Sequence, residues 1–181
     1  MKKSVLLFCI IISIVLTTAC SGKSNLPEID NSLISSYNLF DVTSSNLKNG
    51  KWDKVIAQGN ENHSPELSWE PVEGATSYMI YMVDTTGRDF IHWKSCDITE
   101  TSLPEGWASE SDYVGPYPPP GESHIYEIYV IAVKNPVESM KGAVNGQCLK
   151  FPEFVQALDT DVDGNTGNIV GAAHIIGSYK E

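Results

Sequence analysis

Residues 113–133 read YVGPYPPPGESHIYEIYVIAV, a proline-rich segment that runs directly into a long apolar one. From Ile125 onward the residues alternate as a strand: Tyr126, Ile128, Val130 and Ala132 fall on one face, and Ile125, Glu127, Tyr129, Ile131 and Val133 on the other. Both faces are apolar apart from Glu127, so this strand is expected to be central, with material packed on each side. Working outward, Tyr78 to Val83, Ile91 to Ile98 and Ile169 to Tyr179 are further runs of Ile, Val, Tyr and Trp bounded by Gly, Pro or Asp, and they also fit strand period. The best helix candidate is short, Pro152 to Leu158, with its proline where the first turn needs no N–H donor. The chain is therefore expected to be mainly β.

The first residues have the order of a secretory signal. Lys2 and Lys3 precede an apolar run from Val5 to Leu16 that is too short to span a bilayer, and small residues Thr17, Thr18 and Ala19 lead to Cys20. A Cys in that place resembles the lipobox of bacterial lipoproteins, in which it is acylated and becomes the mature N terminus, although Thr17 stands where such boxes usually carry Leu. The expected organisation is a signal at 1–19, a lipidated Cys20 with a flexible tether at 20–34, and one domain at 35–181, in the cell envelope. Loss of Lys2 and Lys3 takes the formal net charge from −11 to −13. A chain this acidic is repelled by nucleic acid and by anionic surfaces, so a bound anion must be held by local donors.

With Cys9 in the signal and Cys20 at the lipid position, Cys96 and Cys148 remain for the domain. They either pair, closing a loop of about 50 residues worth on the order of 4 kcal/mol, or stay as two unpaired thiols. The sequence leaves both open, because it does not show whether their Cβ atoms face each other.

Polar chemistry gathers at strand ends. One strand ends at Asp84, and the next carries His92 and Trp93 after the turn Thr85-Thr86-Gly87-Arg88. The proline-rich segment delivers His124 and Tyr126, and prolines, by fixing φ, hold a loop in one arrangement. If these strands are neighbours, one carboxylate and two imidazoles share a cleft.

Four segments in order resemble the phosphatidylethanolamine-binding protein family, in particular its bacterial, Raf-kinase-inhibitor-like branch. Asn62-His63-Ser64-Pro65-Glu66-Leu67-Ser68-Trp69 is similar to the family's Ser-Pro-x-Leu-x-Trp motif, and Asp84 with His92-Trp93 to its Asp-Pro-Asp-x-Pro turn and following His. Tyr113 through Tyr126 resembles the Pro-rich loop closing on His-x-Tyr, and Gly171 to Tyr179 resembles the last strand. The resemblance implies a large antiparallel sheet packed on a smaller one, with one or two short helices. It also implies a shallow pocket for phosphate, acetate or phospholipid headgroups, lined by Asp84, His92, Pro119, His124 and Tyr126; Tyr117 of the loop joins them as a ligand-binding candidate. Some relatives act instead as inhibitors of a protein partner. Two departures stand out: Thr85-Thr86-Gly87 replaces Pro-Asp-x-Pro, removing a second carboxylate, and Ile125 stands where most members have Arg.

Other readings are weaker. His63 and His174 lie outside these motifs and are read as structural. A facial triad of His92, His124 and Asp84 is a metal arrangement in principle, but the family needs no metal or other cofactor. Asp159, Asp161, Asp163 and Asn165 with Gly164 reproduce the first half of a calcium loop, yet Val170 occupies the twelfth position where a bidentate Glu is required. No nucleophile elbow, phosphate-cradling Gly loop or His-Glu-x-x-His is present, and Ser45-x-x-Lys48 is a chance match in a polar loop, so a non-enzymatic role is expected.

Overall fold

The computed structural model of the chain describes residues 30–181. The signal and Cys20 lie outside the described residues. The chain forms β1 (Val42–Thr43), β2 (Leu47–Lys48), β3 (Lys51–Trp52), β4 (Leu67–Trp69), β5 (Ser77–Asp84), β6 (Phe90–Ile98), β7 (Ser102–Leu103), β8 (Ser123–Val133), β9 (Gly146–Gln147), α1 (Phe151–Ala157) and β10 (Ile169–Lys180), in that order. Each of the four long expected runs is a strand. The helix is one residue displaced from its expected span, with Phe151 and Val155 buried.

The large sheet has the order β2-β3-β10-β8-β5-β6-β9, antiparallel except where β10 runs parallel to β3. A small antiparallel sheet, β1-β4-β7, packs on it. The hairpin joining β2 to β3 turns on Asn49 (φ 51°) and Gly50 (φ 70°), a two-residue connection whose positive φ values match strand twist. The outermost strands, β2 and β9, are only two residues long, which limits the free edges offered to other chains.

Strand period sorts the core into two layers. Tyr126, Ile128, Val130 and Ala132 of β8, with Tyr78, Ile80 and Met82 of β5, face the small sheet and its Leu67, Trp69 and Leu103. Tyr129, Ile131 and Val133, with Met79, Tyr81 and Val83, face α1. The strand read as apolar on both faces is central and covered on both.

One boundary differs from expectation, and the question of the cysteine pair is answered. Ile34, assigned to the tether, is fully buried in the α1-side layer and held by turns from Asn31 and to Tyr37, so ordered packing begins before residue 35. Cys96 is exposed and Cys148 buried, and both are unpaired. The Cys148 amide donates to the carbonyl of Asp89, just before β6, whereas Cys96 lies toward the far end of that strand. A disulfide needs Cα atoms within about 7 Å, which this placement does not provide. Among the described residues no helix is long and apolar enough to cross a membrane.

Candidate functional site

Three strands bring the site together. Asp84, the last residue of β5, pairs in register with Tyr126 of β8 on one side and Phe90 of β6 on the other, so the three project from one face in a row. His124 lies two residues before Tyr126 and shares its face. His92 arrives differently. Met82 pairs with Trp93 and Val83 with Ile91, which leaves His92 as the extra residue of a β-bulge. His92 keeps the face of Phe90, two residues before it, and the bulge interrupts alternation only beyond it, bringing Trp93 opposite Met82.

The turn after Asp84 replaces the family's prolines with local hydrogen bonds. Asp84 Oδ1 accepts from the Gly87 amide at 2.8 Å, and a Cβ on Gly87 would lie 2.8 Å from Asp84 Oδ2. Thr86 Oγ1 accepts from the Ile125 amide at 3.0 Å, and the Thr85 amide donates to the Ile125 carbonyl at 3.1 Å. The turn is thus pinned to the start of β8.

The proline-rich loop is fastened on both sides. The Val114 amide donates to the His92 carbonyl at 2.8 Å, and His92 Nδ1 meets the Val114 carbonyl oxygen at 2.8 Å. The Gly115 amide donates to Asn62 Oδ1, in the segment before β4, and the Tyr117 hydroxyl donates to Asn145 Oδ1, both at 2.8 Å.

A cavity of about 210 Å³ opens between these elements. All six expected residues line it, namely Asp84, His92, Tyr117, Pro119, His124 and Tyr126, together with Gly87 and Phe90. Cavities for drug-sized ligands run from about 300 to 1,000 Å³, so this one suits a headgroup-sized fragment. Phe90, His92 and Tyr117 meet at ring-centroid separations of 5.2 to 5.8 Å and form an aromatic wall.

His124 is bracketed by carboxylates: Nδ1 lies 2.6 Å from Asp84 Oδ2, and Nε2 lies 3.4 Å from Glu122 Oε2. Partial burial works against its protonation, but the hydrogen bonds and charges of Asp84 and Glu122 outweigh it and hold the pKa above the ordinary imidazole range. His92 is opposite in character. Burial dominates and pushes its pKa down, despite the Val114 carbonyl and the Asp84 charge. The Tyr126 phenol is raised by burial and then by Asp84, and so stays protonated. Its hydroxyl is fully buried and has no hydrogen-bond partner among the described residues.

Sequence reading missed Phe90, Gly87 and Glu122. Phe90 could have been found from its place two residues before His92. Glu122 supplies from the loop a carboxylate where the turn lacks its usual second one, a substitution visible only once β8 is paired with β5. His63 contacts Glu105 at 3.1 Å, and His174 stacks on Tyr129; both lie outside the cavity, in keeping with a structural reading.

The residues of the weak calcium candidate bond largely to their own loop, as an acidic turn does. Asp159 Oδ1 accepts from the Ile169 amide, and Asp161 Oδ1 from the amides of Asp163 and Asn165. Asp161 Oδ2 accepts from the side-chain amides of Asn135 and Asn165. Among the described residues no group of three or more His, Cys, Asp or Glu is placed to hold a metal ion.

A preorganised cavity at the ends of rigid strands, on a two-sheet β scaffold, defines a ligand-binding or interaction module. The family model of phosphatidylethanolamine-binding protein matches residues 42–180, and the chain belongs to that family. No curated protein matches it significantly. Among solved structures, the chain is similar to the phosphatidylethanolamine-binding protein homologue CT736 of Chlamydia trachomatis, at 23% identity and TM-score 0.60, over 80% of this chain and 99% of that one. It is also similar to Escherichia coli YbcL, described as a member of the mammalian family, at 23% identity and TM-score 0.59, over 78% and 98%. At this identity the two structures show the fold.

Proposed function

We propose that this protein is an exported, lipid-tethered binding module, not an enzyme, whose cavity takes a small anionic group such as phosphate, a phospholipid headgroup or a similar metabolite. The observation that carries the reading is the buried hydroxyl of Tyr126, a residue that lines the cavity, which has no hydrogen-bond partner among the described residues. A buried unpaired hydroxyl costs about 1–3 kcal/mol, a cost that a ligand oxygen accepting from it removes. His124, biased toward its protonated form, supplies the positive charge that the cavity lining otherwise lacks. The signal-like residues 1–19 and Cys20 support export and anchoring in the cell envelope. No nucleophile lies beside a base in the cavity, which favours binding over turnover.

The test is calorimetric titration of the full chain in detergent with phosphate and with phosphoethanolamine, alongside Tyr126→Phe and His124→Ala. Binding lost or weakened about tenfold or more in both variants is expected. Equal affinity in all three proteins would sink the assignment.

A second reading, an inhibitor or interaction module for a protein partner such as a protease or kinase, has one specific support. Tyr117 is 40% exposed at the cavity rim, on a loop held stiff by prolines. A partner captured by the wild type and lost when residues 117–120 are replaced favours this reading, and loop-independent capture counts against it.

A further inference from the structure

We infer that the ligand of this cavity must bring its own hydrogen-bond donor, which His92 Nε2 receives. The inference rests on the reading of the cavity as the ligand site and narrows what that ligand can be.

The geometry begins with Val114. A backbone carbonyl oxygen only accepts, so the 2.8 Å contact between His92 Nδ1 and the Val114 oxygen assigns the ring proton to Nδ1. In the neutral imidazole, Nε2 then carries a lone pair and no hydrogen. Among the described residues nothing hydrogen-bonds to Nε2, while His92 as a residue is 2% exposed and lines the cavity. The Nδ1 contact with Val114 and packing against the rings of Phe90, Tyr117 and Tyr126 hold the imidazole in this orientation. Burial favours the neutral form further.

The rest of the lining has the same bias. Asp84 carries acceptor oxygens, His124 is committed at both nitrogens to Asp84 and Glu122, and no Lys or Arg lines the cavity. Among the lining side chains, Tyr126 carries a buried hydroxyl with no hydrogen-bond partner among the described residues. A fully ionised oxyanion without hydrogens would satisfy Tyr126 but place its lone pairs against those of His92 Nε2 and Asp84. A group carrying both an anionic oxygen and an O–H or N–H satisfies both ends. A phosphomonoester monoanion is one source of that chemistry, and an ammonium-bearing headgroup is another. A phosphodiester stripped of donors is excluded.

The test uses two probes of equal charge. At pH about 5.5, below the second ionisation of a phosphomonoester near pH 6, methyl phosphate is a monoanion with one O–H, and dimethyl phosphate is a monoanion with none. Calorimetry on the full chain in detergent is expected to give methyl phosphate about tenfold or more tighter binding than dimethyl phosphate. Ethylammonium is the third arm: binding by it identifies N–H as an accepted donor. His92→Phe keeps an aromatic wall but removes the acceptor, and is expected to abolish the preference between the two phosphates. Equal affinity of the wild type for both phosphates overturns the inference and leaves the ligand site standing. Failure of all three probes to bind overturns the ligand site as well.

Discussion

His124 Nδ1 stands 2.6 Å from Asp84 Oδ2, joining the start of β8 to the end of β5. The bond does two things at once. It aligns the imidazole at the cavity edge, and it raises the pH at which that imidazole loses its proton.

The first prediction follows from the sign of that shift. The folded pKa of His124 lies above its unfolded value, so the stabilisation from the pair is fully present below about pH 6.5 and fades as pH rises through the folded pKa. Asp84→Asn removes the charge and should lower the His124 pKa, read by NMR titration of the ring protons. The stability gap between wild type and Asp84→Asn should be wider at pH 6 than at pH 9 in urea unfolding. A His124 titration that does not move on substitution would show that Asp84 is not its partner in solution.

Gly87 offers a way to disturb the same pair without touching either member. A Cβ at this position would come within 2.8 Å of Asp84 Oδ2, inside contact distance, and the carboxylate must yield. Gly87→Ala is expected to lower the His124 pKa and weaken ligand binding, with a stability cost of about 1–2 kcal/mol from the local crowding. Unchanged titration of His124 in a folded Gly87→Ala protein would show that the turn accommodates the methyl group without displacing Asp84.

Tyr126→Phe separates stability from function. The hydroxyl is buried with no hydrogen bond of good geometry among the described residues, although Asp84 and the Tyr117 backbone lie near enough to shift the phenol's pKa. Removing a buried unsatisfied oxygen should stabilise the free protein by about 1 kcal/mol, measured as a higher urea midpoint with the same slope. The same substitution should remove the extra stability that ligand confers on the wild type. A destabilised Tyr126→Phe would mean that the hydroxyl has a partner in the free protein.

The architecture was legible because strand period is local information. The alternation from Ile125 to Val133 foretold both that β8 is central and which residues face which layer. The site was half legible: Asp84, His92, His124 and Tyr126 sit in recognisable segments, and they do converge. What the sequence did not show depends on pairing across the chain. The bulge at His92 exists only relative to Met82 and Val83 on β5. Glu122 matters only once β8 docks beside Asp84. Ile34 looks like tether by its polar neighbours and is core by tertiary packing. The loop at 159–165 was ambiguous for a related reason, since the same carboxylates that ligate calcium also accept amide hydrogens in a closed turn.

Two glycines of the proline-rich loop give a last, paired prediction. At Gly115 a Cβ would collide with the Ile56 carbonyl oxygen and lie 2.7 Å from the Gln58 nitrogen and 2.8 Å from the Ala57 carbonyl carbon, all backbone atoms that cannot rotate aside. Gly115→Ala therefore has to push the loop outward, loosening the Gly115 bond to Asn62 and the Val114 clasp on His92. About 3 kcal/mol of lost stability is expected, with ligand affinity falling in parallel because Val114 sets the His92 proton. Gly121, six residues on, has nothing within 4 Å of its Cβ position but a φ of +84°, so Gly121→Ala costs only backbone strain, about 1 kcal/mol, and should leave affinity unchanged. Thermal unfolding and calorimetry of the two variants side by side test whether the loop acts by its seating on Ile56 and His92. If Gly121→Ala weakens the ligand as much as Gly115→Ala, loop conformation as a whole, and not the Val114 clasp, governs the cavity.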